Sequence, residues 1–304
     1  MAFVVKSISP RVLMAFTFLG VQIVALLIVP IYPREYRIFG DPGDIKNSLF
    51  YVLIIIVVTA LMLLLLKLRM EVVLKAVFAY AVFVTISFVV FPLAFMVIED
   101  MLISLALSMI FAGFMIALLF IHSEWYVMNT VAFLMGCGVA ALLGMSLGVI
   151  PALVLLVILA LYDAIAVYVT KHMVPLAEGI VSMGIPVVFI IPKRKGFSIG
   201  SMNLDKIPKG TSIREVVIMG LGDAIIPGIL VVSSFVSLSG VPGSVYSANL
   251  LVSVGTLIGS FCGLLMLFFS AKKGKPHAAL PFINGGAIAG FLITYLLIFG
   301  NFTF

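Results

Sequence analysis

Nine apolar stretches, separated by polar connections, limit what this chain can fold into more than any other feature. They lie at about residues 12–31, 49–66, 72–98, 102–121, 125–145, 148–170, 216–238, 246–270 and 279–299. A helix of about twenty residues is about 30 Å long, the thickness of a bilayer's hydrocarbon core. Within lipid the backbone has no water to bond, and a helix satisfies its N–H and C=O groups internally. The predicted fold is therefore an all-α polytopic membrane protein, one domain over 1–304 with nine transmembrane helices. Of the 304 residues, 64% are apolar and 10% charged, whereas soluble domains carry about 25% charged residues. A soluble enzyme is excluded, and the net charge of +6 reads as membrane topology rather than affinity for nucleic acid.

Lys and Arg set the orientation. Fifteen of the eighteen fall on the side of the N-terminus, and Arg34, Arg37 and Lys46 on the other. This predicts a cytoplasmic N-terminus, an outer C-terminus and a long cytoplasmic connection over 171–215. The run after Lys6 and Arg11 is too long for a signal-peptide core and reads as a retained first span. No soluble domain is expected before or after the spans, and the localisation is that of a multi-pass integral membrane protein, in a prokaryote the cell membrane. Within the long connection, Gly184–Pro192 is a short apolar, β-branched run that suits an interfacial piece or a strand. Residues Lys193–Arg214 are basic and rich in Gly and Ser. Small residues recur at four-residue spacing at Gly136, Ala140 and Gly144, at Gly220, Ala224 and Gly228, and at Gly255, Gly259 and Gly263, a pattern that lets helices approach closely. Cys137 and Cys262 both fall in apolar spans, which predicts neither a disulfide nor a metal cluster, and no cofactor is expected.

Of the twelve acidic residues, ten lie in connections or at span ends. Asp163 and Asp223 lie inside spans. A carboxylate at that depth costs about 3 kcal/mol or more, which makes it a candidate functional group. No Lys, Arg or His lies deep in any span, so neither acid has a basic partner. Asp163 precedes Lys171 by eight residues and Asp223 follows Glu215 by eight. In two antiparallel helices both acids would sit about 12 Å from the same face. Two carboxyls side by side share a proton: one is a base for water while the other is an acid for the leaving group. Gly220-Leu221-Gly222 keeps side chains small just before Asp223, and Pro227-Gly228 can loosen the helix one turn later. Tyr162 either hydrogen-bonds at the site or packs elsewhere.

Tyr162-Asp163 and Gly220-Leu221-Gly222-Asp223 in consecutive spans resemble the two catalytic motifs of the GxGD intramembrane aspartyl proteases, the presenilin and signal peptide peptidase family. Ala279-Leu280-Pro281 opens the ninth span where that family has its Pro-Ala-Leu signature, although Ala278 stands in place of the leading proline. The resemblance covers the whole chain. It implies a presenilin-like fold, Asp163 and Asp223 as the catalytic pair, and Tyr162, Gly220, Leu221, Gly222, Ala279, Leu280 and Pro281 as supporting residues. The implied partners are transmembrane helical substrates and the bilayer, with no nucleic acid and no obligatory partner subunit; self-association stays open. The N-terminal orientation agrees with presenilin and predicts cleavage of spans whose N-terminus is outside. Compact connections suggest a microbial, archaeal relative. Unwound substrate backbone needs new partners, which the Gly184–Pro192 run or the Ala279–Pro281 loop could supply by strand addition.

Gly144-Met145-Ser146-Leu147-Gly148 fits the GxSxG nucleophile pattern, but His122, His172 and His277 all fall on the other side of the membrane, so Ser146 reads as a turn residue. No HExxH motif is present. A cation or proton transporter could also use paired intramembrane carboxylates, and a purely structural reading has both acids protonated and packed.

Overall fold

The computed structural model describes residues 9–68, 70–122, 124–170, 188–193, 216–238, 245–270 and 278–301. Among them are α1 (Pro10–Ile28), α2 (Lys46–Lys67), α3 (Glu71–Ile98), α4 (Met101–Ile121), α5 (Trp125–Ser146), α6 (Val149–Ile165), β1 (Val188–Pro192), β2 (Val216–Gly220), α7 (Leu221–Ser237), α8 (Val245–Ser270) and α9 (Leu280–Phe299). Among the described residues seven helices meet the length and apolarity needed to cross a membrane; α2 is 22 residues long and α7, at 17, is shorter.

Acids in the connections serve turn chemistry. Glu99 ends α3 in the left-handed conformation at φ 57°, and Asp100 caps α4 by accepting the Ile103 N–H at 2.9 Å. Asp41 and Asp44 accept the N–H groups of Gly43 and Lys46 at 3.0 and 2.9 Å. Ser146, of the GxSxG-like run, is fully buried at the end of α5. Its Oγ donates to the Leu142 carbonyl at 2.7 Å and accepts the Ile38 N–H at 3.0 Å. It ties two connections together, in line with a turn role.

The sixth and seventh spans differ from expectation. The α-helix of the sixth stops at Ile165 and widens into a π-helical turn over Ala166–Thr170. Residues 216–220, expected as the start of the seventh helix, form β2 and pair antiparallel with β1, Val188 opposite Gly220 and Pro192 opposite Val216. The physical reason is local. Val216, Val217 and Ile218 favour extended backbone, and Gly220, at φ −61° and ψ 140°, turns the chain into α7 as its N-cap. The apolar run of the long connection is thus a strand from Val188; Gly184–Val187, like Arg194–Glu215, lie outside the described residues.

The ribbon is part of the core. Val188–Ile191, Val216 and Met219 are buried against Met14, Phe18 and Val21 of α1 and Val127, Met128 and Val131 of α5. Small-residue stripes set the tightest helix crossings. A methyl on Gly144 of α5 would lie 2.5 Å from Val232 Cβ of α7, and one on Gly228 of α7 3.3 Å from Ala140 Cβ. Gly259 of α8 leaves no room for a side chain against the Gly286 carbonyl of α9, and Gly263 none against that of Phe282. Helices α6, α7 and α9 all touch one another, which brings the three predicted motifs to one place.

Candidate active site

Asp163 lies in the last turn of α6, two residues before its end, and Asp223 is the third residue of α7. Because α7 begins only at Leu221, the eight-residue depth match is not a match along two helices. The acids instead sit at the adjoining ends of two packed helices, one at a C-terminus and one at an N-terminus.

Asp163 is 6% exposed. Its Oδ2 accepts the N–H of Leu280 at 3.1 Å. Leu280 is the first residue of α9, and such first-turn N–H groups have no partner within their own helix. Pro281, next in the helix, brings no donor of its own. Asp163 therefore caps α9 from α6, joining the first and third motifs by one hydrogen bond. Ala278, in place of the family proline, is fully buried, and the Leu280 contact forms with alanine there.

Asp223 is half-buried. Its carboxyl folds back toward Gly220. A methyl on Gly220 would lie 3.3 Å from Asp223 Oδ2, so the first glycine of the motif makes room for this contact. Gly222 is exposed, and a methyl there would meet only Ile226 Cδ1 at 3.8 Å. Leu221 points the other way, into the α1–α5 core. Pro227 sits inside α7 four residues after Asp223, and having no N–H it leaves the Asp223 carbonyl without its usual helical donor. The helices that carry the two acids pack against each other, and both acids lie at the adjoining ends of that pair.

The other predicted residues divide. Ala279, Leu280, Pro281 and Gly220 border the acids. Tyr162 does not join them: it is 49% exposed, as expected of an immediate helical neighbour of a side chain that faces inward. Counting acids alone missed the buried amides. Asn284, one turn into α9, is fully buried and donates from Nδ2 to the Leu156 carbonyl of α6 at 2.9 Å. Gln22 of α1 accepts from Ser260 Oγ at 3.0 Å. Asn129 of α5 bonds both backbone groups of Ile190 in β1. A polar side chain in an apolar span was the available signal.

Comparison with known proteins places the chain in a family. The family model described as "Signal-peptide peptidase, presenilin aspartyl protease" matches residues 15–300. Two solved structures, each described as a presenilin family intramembrane aspartate protease, superpose over nearly the full length. The one in space group C222 is 32% identical, with a TM-score of 0.69 over 95% of this chain and 99% of its own. The one in P2 is 33% identical, with a TM-score of 0.68 over 96% and 100%. No curated protein sequence matches significantly. The transporter reading gains no support. With a family match over almost all its length and seven membrane-crossing helices, this chain is a multi-pass membrane enzyme of the signal-peptide peptidase and presenilin family of aspartyl proteases.

Proposed function

We propose that Asp163 and Asp223 form the catalytic pair and that the enzyme hydrolyses peptide bonds within transmembrane segments of membrane proteins. The observation that carries this reading is the placement of the two acids at the adjoining ends of α6 and α7, which pack on each other. One carboxyl holds a proton and the other does not. The ionised one takes a proton from water as its oxygen attacks the scissile carbonyl carbon, and the protonated one donates to the carbonyl oxygen. Collapse of the tetrahedral intermediate breaks the C–N bond, with a proton passing to the leaving amine. The pair titrates as a unit, so neither acid has a permanent role.

The substrate must leave its helix to expose a peptide bond, and its freed backbone groups need partners. The sheet edge nearest the acids belongs to β2, which runs through Gly220 to within three residues of Asp223. Among the described residues no third strand pairs with it. An extended substrate segment adding there would lie beside the acids. In this reading α2 and α7 also cross the membrane, the N-terminus is cytoplasmic, substrates enter with their N-terminus outside, and no partner subunit is needed. The test compares wild type, Asp163→Asn and Asp223→Asn on a synthetic transmembrane peptide in detergent. Each variant should lose about 10²–10⁴-fold in rate; cleavage retained in either would eliminate the pair as catalyst.

A further inference from the structure

Asn129 stands in the second turn of α5, and its side-chain amide treats β1 as a neighbouring strand would. Nδ2 donates to the Ile190 carbonyl at 2.8 Å, and Oδ1 accepts the Ile190 N–H at 2.9 Å. A carboxamide carries the same donor and acceptor as a peptide group, so this is one rung of a ladder made by a side chain. The rung also fixes which way the ribbon faces. In an antiparallel pair, residues alternate between those that exchange both hydrogen bonds with the partner strand and those that turn both groups away. Ile190 gives both groups to Asn129, so the Ile190–Ile218 pair is of the second kind. By the same alternation, Val188–Gly220 and Pro192–Val216 are too. Pro192, which has no N–H, fits that outward position. On β2 the same alternation turns the backbone of Val216 and Ile218 away from β1, and Ile218 is 41% exposed. One edge of the ribbon is thus met by α5 at Ile190; along the other, which leads to Asp223, no further strand pairs among the described residues.

We propose that Asn129 is a positioning residue for cleavage: by filling the outer edge of β1 it fixes the ribbon's register and leaves β2 as the edge that receives substrate. This rests on the strand-addition reading above. Without the rung, β1 has two backbone groups unpaired, can slip along β2 in steps of two residues that keep its faces, and offers a competing edge. Slippage moves the docked substrate relative to the acids, so the bond presented to them changes.

The test uses the full-length enzyme with a synthetic transmembrane peptide, with kcat, KM and product masses measured together. Asn129→Leu, which keeps the shape and removes both hydrogen bonds, should raise KM about tenfold with kcat within about twofold. Its products should spread to bonds two residues from the wild-type position. Hydrogen exchange at the Ile190 amide should quicken in this variant. Asn129→Gln, which retains the amide, should restore the wild-type product pattern. An Asn129→Leu enzyme that cuts the same bond with unchanged KM would overturn the proposal, as would a loss confined to kcat. If Asn129→Leu does not fold, the product pattern of Asn129→Gln decides, and a spread in that variant overturns the proposal. Failure of the catalytic-pair reading looks different: Asp163→Asn would then retain cleavage, whatever Asn129 does.

Discussion

Asp163 caps α9 and in the proposed mechanism is also a catalytic acid, and substitutions can separate the two. Asparagine keeps an oxygen that accepts the Leu280 N–H, whereas alanine removes both the acid and the cap. Asp163→Asn and Asp163→Ala should be equally inactive, but only the alanine variant should lose the capping energy, about 1 kcal/mol, as a lower melting temperature in detergent. Equal melting temperatures would mean that the cap adds nothing. The two motif glycines should also separate. Gly220→Ala presses on Asp223 Oδ2 and should lower kcat/KM about tenfold or more, while Gly222→Ala, whose methyl meets only Ile226 at 3.8 Å, should stay within about threefold. Parallel steady-state assays decide between them. At this scale the acids were legible because charge in an apolar span is costly and therefore visible. Asn129 and Asn284 were not singled out, because an amide costs less and leaves the apolar runs intact. The orientation of Tyr162 could not be read at all, since it depends on how α6 is rotated.

Among the elements, α8 and α9 depend most on missing side chains. Gly259 and Gly263 meet backbone atoms of α9, which a rotamer change cannot relieve. Gly259→Ala should destabilise the enzyme by about 1–3 kcal/mol. Gly113→Ala in α4, with nothing within 4 Å, should be neutral or slightly stabilising; thermal unfolding of the two side by side is the measurement. Helix positions were legible to within a few residues, because length and apolarity are local properties. The seventh span was not. Its first five residues are as apolar as a helix needs, and their strand form comes from pairing with Val188–Pro192, a partner about thirty residues away in sequence. Hydropathy does not register such pairing, although the β-branched Val216-Val217-Ile218 was a sign of it.

For the whole molecule, the Lys and Arg distribution predicts orientation without reference to the fold. Single cysteines in a cysteine-free background give the measurement. Glu35→Cys should react with a membrane-impermeant thiol reagent applied outside intact cells, and Ser9→Cys only after the membrane is opened. The reverse pattern would invert the enzyme and with it the predicted substrate orientation. The way the three motifs converge was legible only as adjacency of spans in sequence. The mutual contact of α6, α7 and α9 arises from packing between segments far apart in the chain, α6 and α9 by more than a hundred residues, which neither periodicity nor charge reports.

The bond from Leu280 to Asp163 has a consequence for inhibitors. A compound that places a hydroxyl between the two carboxyls competes with a backbone amide for the same lone pairs. Tight occupancy of the site should therefore be felt as fraying at the head of α9, a mechanical signature of binding that amide exchange at Leu280 would register even where no product is formed.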